Sequence, residues 1–340
     1  MSAPAPSQQI DRIDIHTHFF PADLPDFAQI TEDNQWPSLR IDSDERGRIM
    51  RGPDVFRPVG ATCWDLDARI REMDATGITT QVLTPVPVML TYWAPRGDAI
   101  RFAQLQNDLI AIAVRSHPAR FIGFGTVPFP DPDASVSELL RAQSIGLAGI
   151  EIGASIAGSE LDDPALLPFF EAAAATGMRL LVHPGDHGVT RRSGAPYDFS
   201  IGMHTDTALA ATALVFGGVL ERFPDLRIVL AHGCGSFAWS YPRIARGATM
   251  LPRPMPIGAA DDLVRLLWVD SLVFEPLHLP VLFARFGADH VVLGSDYPFY
   301  PASFGTSIEM LDRATHDGAC THDEAMHIVG PNGRRFLADN

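Results

Sequence analysis

The most informative segment of the chain is Ile13-Asp14-Ile15-His16-Thr17-His18. Hydrophobic and polar residues alternate in it, and this period of two predicts a β-strand. Side chains at positions i and i+2 project from the same face of a strand, so His16 and His18 should point the same way at its end. Two neighbouring imidazoles readily chelate a first-row divalent metal. Taken alone, the pair is more often two polar residues on an exposed face.

Beyond this strand, short apolar segments alternate with amphipathic helices through most of the chain. The predicted strands are 13–18, 79–84, 121–127, 149–152, 179–183, 227–231, 267–274 and 291–294. Eight strands, each followed by a helix, predict an α/β fold of the (β/α)8 barrel type. A doubly wound open sheet is the alternative, and the strand count disfavours it.

The chain of 340 residues is longer than the roughly 250 that such a barrel needs. We assign the excess to an insertion at 22–60 and to extra helices at the C-terminus. The sequence of the insertion predicts a small hairpin that contains Arg48–Arg51. We expect the insertion to form a lid over the site, and a plain surface loop is the alternative. Residues 10–340 are expected to form a single domain, and residues 1–9 a disordered tail.

The helix that follows the insertion carries start and stop signals. Thr62-Cys63-Trp64-Asp65 has the spacing of a capping box. Leu66, Ile70 and Met73 then recur at helical spacing, and Gly77 is expected to end the helix.

The composition excludes several classes of function. A net charge of −15 disfavours binding to nucleic acids and to anionic membranes, because both require a basic surface. The sequence contains no apolar run of membrane-spanning length. Its N-terminal residues lack the basic and apolar regions of a signal peptide. The three cysteines, widely spaced and without a CxxC motif, indicate a reducing cytoplasm rather than a disulfide framework.

Polar residues also follow three later strands of the predicted barrel. The fifth strand ends in His183-Pro184, the sixth in Ala231-His232-Gly233 and the eighth in Gly294-Ser295-Asp296. The carboxyl ends of all strands meet at one mouth of a barrel, where catalytic residues lie. His16, His18, His183 and Asp296 would form a mixed nitrogen and oxygen ligand set with room for water, as a catalytic metal site requires.

These motifs resemble the amidohydrolase superfamily, and within it the branch of the 2-amino-3-carboxymuconate 6-semialdehyde decarboxylases and the related aromatic-acid decarboxylases. The resemblance covers roughly residues 10–335. It extends to segments outside the predicted site, which are Cys63-Trp64-Asp65, Arg69-Ile70-Arg71-Glu72-Met73-Asp74, Val86-Pro87-Val88-Met89, Tyr92-Trp93-Ala94, Asn107-Asp108-Leu109, Gly217-Gly218-Val219 and Arg222-Phe223-Pro224.

The resemblance implies roles for individual residues. It assigns one divalent metal, zinc or alternatively manganese, to His16, His18, His183 and Asp296. It makes His232 a general acid or base beside the metal rather than a ligand. From residue chemistry, either His232 or the ligand Asp296 could take a proton from a metal-bound water. Arg243 would reach into the active site of a neighbouring subunit, which implies a homodimer or a dimer of dimers.

Two positions depart from the family pattern. Gly60 and Leu251 stand where the family has arginines that bind a substrate carboxylate, although Arg253 is close to the second position. A dicarboxylate would lose its bidentate anchor without them, so a monocarboxylate suits the site better.

The leading functional hypothesis is therefore a metal-dependent, non-oxidative decarboxylase acting on a small carboxylic acid, either aromatic or of the muconate-semialdehyde type. A metal-dependent hydrolase of a lactone, amide or C–C bond is the alternative, because the same ligands also activate water. A non-catalytic protein on a decayed barrel is a third hypothesis, which the intact ligand set weakens.

Several other residues allow two interpretations each, one functional and one structural. Arg191-Arg192 could bind an anion or lie on a solvated face. Tyr92, Trp93 and Phe199 could line a pocket or pack in the core. Cys234 is better explained as a small buried residue than as a nucleophile, and Gly233-Cys234-Gly235 lacks the Gly-Lys-Ser/Thr of a phosphate loop.

Overall fold

Eight parallel strands follow one another in chain order around the centre of the molecule, which confirms the predicted (β/α)8 barrel. The computed structural model describes residues 11–185, 194, 197–299 and 303–338, so the predicted tail 1–9 and Arg191-Arg192 lie outside the described residues. The barrel strands are β1 (Ile13–Phe19), β5 (Thr80–Pro85), β6 (Phe121–Gly125), β7 (Gly149–Gly153), β8 (Arg179–His183), β9 (Ile228–Leu230), β10 (Trp268–Asp270) and β11 (Val291–Val292). The segment after β11 returns to β1, where the Ile15 amide donates to the Leu293 carbonyl at 2.9 Å.

Helices cover the outside of the barrel and extend the C-terminus. Three of them follow β11, as the sequence predicts. The helices are α1 (Phe27–Thr31), α2 (Leu66–Thr76), α3 (Arg96–Ser116), α4 (Pro132–Ser144), α5 (Leu167–Thr176), α6 (Met203–Phe216), α7 (Val219–Arg222), α8 (Phe237–Ala248), α9 (Ile257–Val264), α10 (Leu279–Phe286), α11 (Ser303–His316), α12 (His322–Val329) and α13 (Pro331–Leu337). No helix in the described part of the chain combines the length and apolarity needed to cross a bilayer.

The insertion after β1 contains α1 and an antiparallel sheet of three strands rather than a two-stranded hairpin. The strands are β2 (Pro37–Ile41), β3 (Arg46–Arg51) and β4 (Asp54–Gly60). Trp36 and Ile49 of the insertion are fully buried in one apolar cluster with Phe27 and with Phe102 of α3. The insertion is therefore packed onto the barrel through its own small core, which a plain surface loop would lack.

Two local predictions need correction. Asp65, and not Thr62, caps α2, because its side chain accepts from the Ala68 amide at 3.0 Å while 61–63 form a 3₁₀ turn. The predicted strand 267–274 ends at Asp270, because the Asp270 carboxylate turns the chain by accepting from the Leu272 amide at 3.0 Å. Gly77 ends α2 at a φ of 72°, as predicted.

Candidate active site

Four imidazoles and one carboxylate converge at the carboxyl ends of β1, β8, β9 and β11. His18 Nε2 lies 3.2 Å from His16 Nε2 and 3.0 Å from Asp296 Oδ1. The His183 ring centroid is 5.0 Å from that of His16 and 4.9 Å from that of His18. His232 Nε2 lies 3.8 Å from Asp296 Oδ2. All five residues are buried, so the structure brings together every metal-ligand and acid–base candidate on its own chain that the sequence proposes.

The hydrogen bonds of three imidazole Nδ1 atoms determine which ring atoms face the centre of this cluster. His16 Nδ1 lies 2.7 Å from Asp270 Oδ2, His18 Nδ1 lies 2.8 Å from the Pro85 carbonyl, and His183 Nδ1 lies 2.8 Å from the Pro184 carbonyl. Carbonyl and carboxylate oxygens only accept, so each Nδ1 must donate its proton. In a neutral imidazole the Nε2 then carries a lone pair and no proton.

Three Nε2 lone pairs and the Asp296 carboxylate therefore face one another in a buried space. His183 Nε2 has no hydrogen-bond partner within the described residues. The donor atoms of His16, His183, His232 and Asp296 all lie within 4.8 Å of one another. Burial and the neighbouring imidazoles hold the pKa of His183 well below its ordinary value, which keeps its lone pair available. Lone pairs that converge in this way repel unless a cation lies between them, so the donor set fits a divalent metal.

Asp270, at the end of β10, is a functional residue that the sequence analysis missed. Its Oδ2 accepts from His16 Nδ1 and from the His232 amide at 2.9 Å, and its Oδ1 accepts from the Gly233 amide at 2.9 Å. Although burial raises the pKa of Asp270, the hydrogen bond from His16 and the nearby imidazole charges lower it overall. The one available signal was a carboxylate that directly follows the apolar residues Leu267-Trp268-Val269.

The turn that carries His232 has an unusual backbone. His232 and Cys234 adopt positive φ values of 57° and 64°, and Asp296 adopts 58°. Such conformations are costly for residues other than glycine and are frequent at functional sites. Gly235 is required in this turn, because a Cβ there would lie 2.2 Å from the His204 carbonyl oxygen. The bonds to Asp270 offset this strain.

A second buried network, of hydrogen bonds, holds β1 in place. Ser295 Oγ donates to Asp14 Oδ2 at 2.5 Å. The Arg69 guanidinium is fully buried and donates to Thr17 Oγ1 at 3.2 Å and to the His18 carbonyl. Burial raises the pKa of Asp14 to about 7, against the hydrogen bond from Ser295. These contacts hold the His-x-His strand in register with its neighbours.

A cavity of about 230 Å³ opens between the cluster and the insertion. His183, His232 and Asp296 form its base. Among the described residues, its walls are largely aromatic and apolar and include Phe56, Phe199, Met203, Phe274 and Phe299, together with the Arg57 guanidinium and the His204 imidazole. A small planar acid matches this shape and lining.

The remaining candidates divide between the cavity and other surroundings. Phe199 lines the cavity, whereas Trp93 packs against Trp36 with ring centroids 5.0 Å apart. The Tyr92 hydroxyl accepts from the Gly153 amide at 2.8 Å. Cys234 is fully buried, and burial raises the pKa of its thiol well above the ordinary value, in keeping with a structural residue.

Gly60 and Leu251, the two positions at which the family resemblance leads one to expect an arginine, are both exposed. Arg253 lies 3.3 Å from Glu221 Oε2 on the surface and does not line the cavity. Arg243 is exposed on α8 and also lies outside this cavity of its own chain.

Comparison with known proteins assigns the family. A family described as amidohydrolase matches residues 13–338, and the chain belongs to it. The chain is 37% identical to the 2-amino-3-carboxymuconate-6-semialdehyde decarboxylase of Dictyostelium discoideum, over 96% of this chain and 91% of that protein. It is 30% identical to the corresponding enzyme of Caenorhabditis elegans, over 85% of each chain. The crystal structure of 5-carboxyvanillate decarboxylase from Sphingomonas paucimobilis shares the fold, with a TM-score of 0.77, 22% identity and coverage of 96% of this chain and 99% of that one.

Proposed function

We propose that this protein is a metal-dependent, non-oxidative decarboxylase that releases CO₂ from a small aromatic or muconate-semialdehyde-type acid. The observation that carries the proposal is the convergence of three Nε2 lone pairs and one carboxylate at the base of a largely apolar cavity. Similarity to a named decarboxylase along 96% of the chain supports the same reaction.

His16, His18, His183 and Asp296 would hold one divalent metal. Three imidazole nitrogens and one carboxylate oxygen favour zinc, whereas manganese prefers a set richer in oxygen. When bound, the metal supplies a Lewis acid that polarises the substrate carboxylate or an adjacent oxygen. Metal analysis of the purified protein tests this assignment.

His232 would supply the proton that the reaction consumes. It lines the cavity beside Asp296, and its backbone is held by Asp270. Transfer of this proton to the carbon that bears the carboxylate interrupts the conjugation of the substrate. The C–C bond then breaks, its electron pair restores the π-system, and CO₂ leaves. Asp296 orients the His232 imidazole during this transfer.

The apolar walls would assist by excluding water. Phe199, Met203 and Phe299 surround the space in which a planar ring would lie. A carboxylate is poorly solvated in such surroundings, whereas neutral CO₂ loses little solvation energy there. The cavity thus favours the product side of the reaction.

Arg243 would complete the active site of a second copy of this chain. Trp239, Met250 and Leu277 are 84%, 78% and 72% exposed, and large exposed apolar side chains are typical of protein interfaces. We therefore include a homodimer, or a dimer of dimers, in the proposal. Light scattering gives the oligomeric state. Mixing inactive Arg243→Ala and His232→Ala chains should restore activity in part of the heterodimers if the arginine acts across the interface.

Residues 10–340 would form one domain, with 22–60 as a lid whose residues Phe56 and Arg57 reach the cavity.

The cysteines indicate where the enzyme would be located. All three are buried and unpaired, as in proteins of a reducing cytoplasm, and we place this enzyme there.

A screen for CO₂ release tests the proposed reaction. Purified, metal-loaded protein is incubated with hydroxybenzoates, aminobenzoates and muconate semialdehydes, and both CO₂ and the organic product are measured. We expect a product that lacks one carboxylate and has taken up no water. Hydrolytic products without CO₂ would instead support the hydrolase hypothesis and overturn the proposal.

A further inference from the structure

A second cavity, of about 200 Å³, lies directly beside the active-site cavity. His204 and His232 line both cavities, so their two imidazoles lie at the boundary between them. The second cavity is also lined by a third imidazole, that of His278. Its other described walls are glycines of the His232 turn and apolar residues, mainly of α8 and α10. The proposed acid His232 can therefore be reached from a side that the substrate does not fill.

The backbone fixes how the imidazoles of His204 and His232 lie against each other. The His204 carbonyl accepts from the Ser236 amide at 3.1 Å, and Ser236 directly follows the turn that carries His232. The two rings are nearly parallel, at 13°, with centroids 6.2 Å apart. His232 Nδ1 is buried and has no hydrogen-bond partner within the part of the chain that the structure describes. One water molecule can bridge a separation of this size and carry a proton between two imidazoles.

Exposure to solvent increases stepwise along the three histidines of the second cavity. His232 is buried, His204 is half-buried in the first turn of α6, and His278 is exposed. His278 Nδ1 lies 3.2 Å from the Val273 carbonyl and donates to it, which leaves Nε2 of the neutral ring free to take up a proton. Burial lowers the pKa of His204, and the nearby His232 and His278 lower it further against the opposite effect of Asp270. His204 therefore binds a proton weakly and can pass it on.

The proposed reaction requires a proton supply that is separate from the substrate. Each turnover replaces a C–C bond by a C–H bond, so it consumes one proton from solvent. A planar acid in the active-site cavity, with its largely apolar walls, would hinder water from reaching His232 on that side. At the tetrahedral carbon the new hydrogen and the departing carboxylate lie on opposite faces of the former plane, so CO₂ leaves on the side away from His232. The second cavity thus stays free for the proton.

We infer that His204 returns protons from the second cavity to His232 after each turnover, with His278 as the solvent-facing end of the route. The inference rests on the proposed decarboxylation and on His232 as its acid. The His232 imidazolium gives up one proton to form the C–H bond, and the electron pair of the broken C–C bond returns to the π-system. Protonated His204 then gives a proton to neutral His232, and solvent in the second cavity protonates His204 again. His204 thus acts through His232 and need not contact the substrate.

Removal of this relay should make turnover depend on a small buffer acid. In His204→Phe an aromatic ring of similar shape replaces the imidazole but cannot carry a proton. CO₂ release by the full-length, zinc-loaded protein is measured with the acid that reacts fastest in the screen above, at increasing concentrations of imidazole. We expect kcat at low imidazole to fall at least about tenfold below that of the wild type, with KM unchanged, and to recover as imidazole is added. The bulkier buffer HEPES, which fits a cavity of this size poorly, should not restore it.

His322→Phe is the matched control, because His322 is an exposed histidine on α12 that lines neither cavity. Its kcat should stay independent of imidazole, as in the wild type. His204→Gln carries the same prediction and replaces the phenylalanine variant if that chain does not fold. A wild-type kcat at low imidazole, or a loss that imidazole does not restore, would overturn the inference, and the second result would make His204 a structural residue. Failure of the decarboxylation proposal would appear separately, as absent CO₂ release from the wild type with every acid.

Discussion

Replacing Asp270 by asparagine should weaken metal binding and the His232 turn together, because one carboxylate holds both. Oδ2 accepts from His16 Nδ1 at 2.7 Å and from the His232 amide at 2.9 Å. Oδ1 accepts from the Gly233 and Leu272 amides at 2.9 and 3.0 Å. Asparagine has the same shape but only one oxygen, so in either orientation its NH₂ group faces two donors.

The magnitude depends on where the NH₂ group lies. Against His16, it forces the imidazole to accept at Nδ1, which moves the proton to Nε2 and removes a metal-binding lone pair. Against Gly233 and Leu272, it breaks two hydrogen bonds to a charged acceptor, which costs roughly 3 kcal/mol or more of folding stability. Loss of such an outer partner lowers metal affinity by about 10- to 100-fold, or about 1.4–2.8 kcal/mol.

Competition against a chromophoric chelator measures the zinc affinity of the variant, and urea unfolding of the metal-free protein measures its stability. Asp262→Asn is a suitable control, because Asp262 is an exposed carboxylate on α9 and should change neither quantity. An Asp270→Asn protein with wild-type zinc affinity and wild-type stability would refute this account of the site.

Three further perturbations have defined outcomes. His232→Ala should retain the metal yet lose about 10²- to 10⁴-fold in turnover, whereas His183→Ala should lose both; metal loss in the first variant would make His232 a ligand. Removal of the metal by a chelator should abolish CO₂ release and lower the thermal midpoint, and zinc should restore both, because the metal binds only the folded state. Gly235→Ala should be strongly destabilising on thermal unfolding, since its Cβ would lie 2.2 Å from the His204 carbonyl oxygen at a φ of 56°. Gly258→Ala, with no atom within 4 Å of the new Cβ, should change stability little.

The barrel and most of the proposed metal site were predictable because their signals are local. Each strand of a parallel barrel ends at the same mouth, so a polar residue after an apolar strand is already placed near the others of its kind. The order of the elements alone therefore places His16, His183, His232 and Asp296 at one mouth, across nearly the full length of the chain. Their side chains converge in the structure.

The surroundings of Asp270 and Arg57 depended on the tertiary structure, because the groups that contact their side chains come from distant segments of the chain. Asp270 is the last residue of a strand of three residues, and its importance arises from the donors that β1 and the His232 turn bring to it. Arg57 points into the cavity because β4 bulges against β3 and because Phe199 and Phe299, from distant parts of the chain, receive its guanidinium. Strand order and residue type can thus be predicted from local sequence. The partner of a given side chain is a property of how separate segments pack, and only the folded chain decides it.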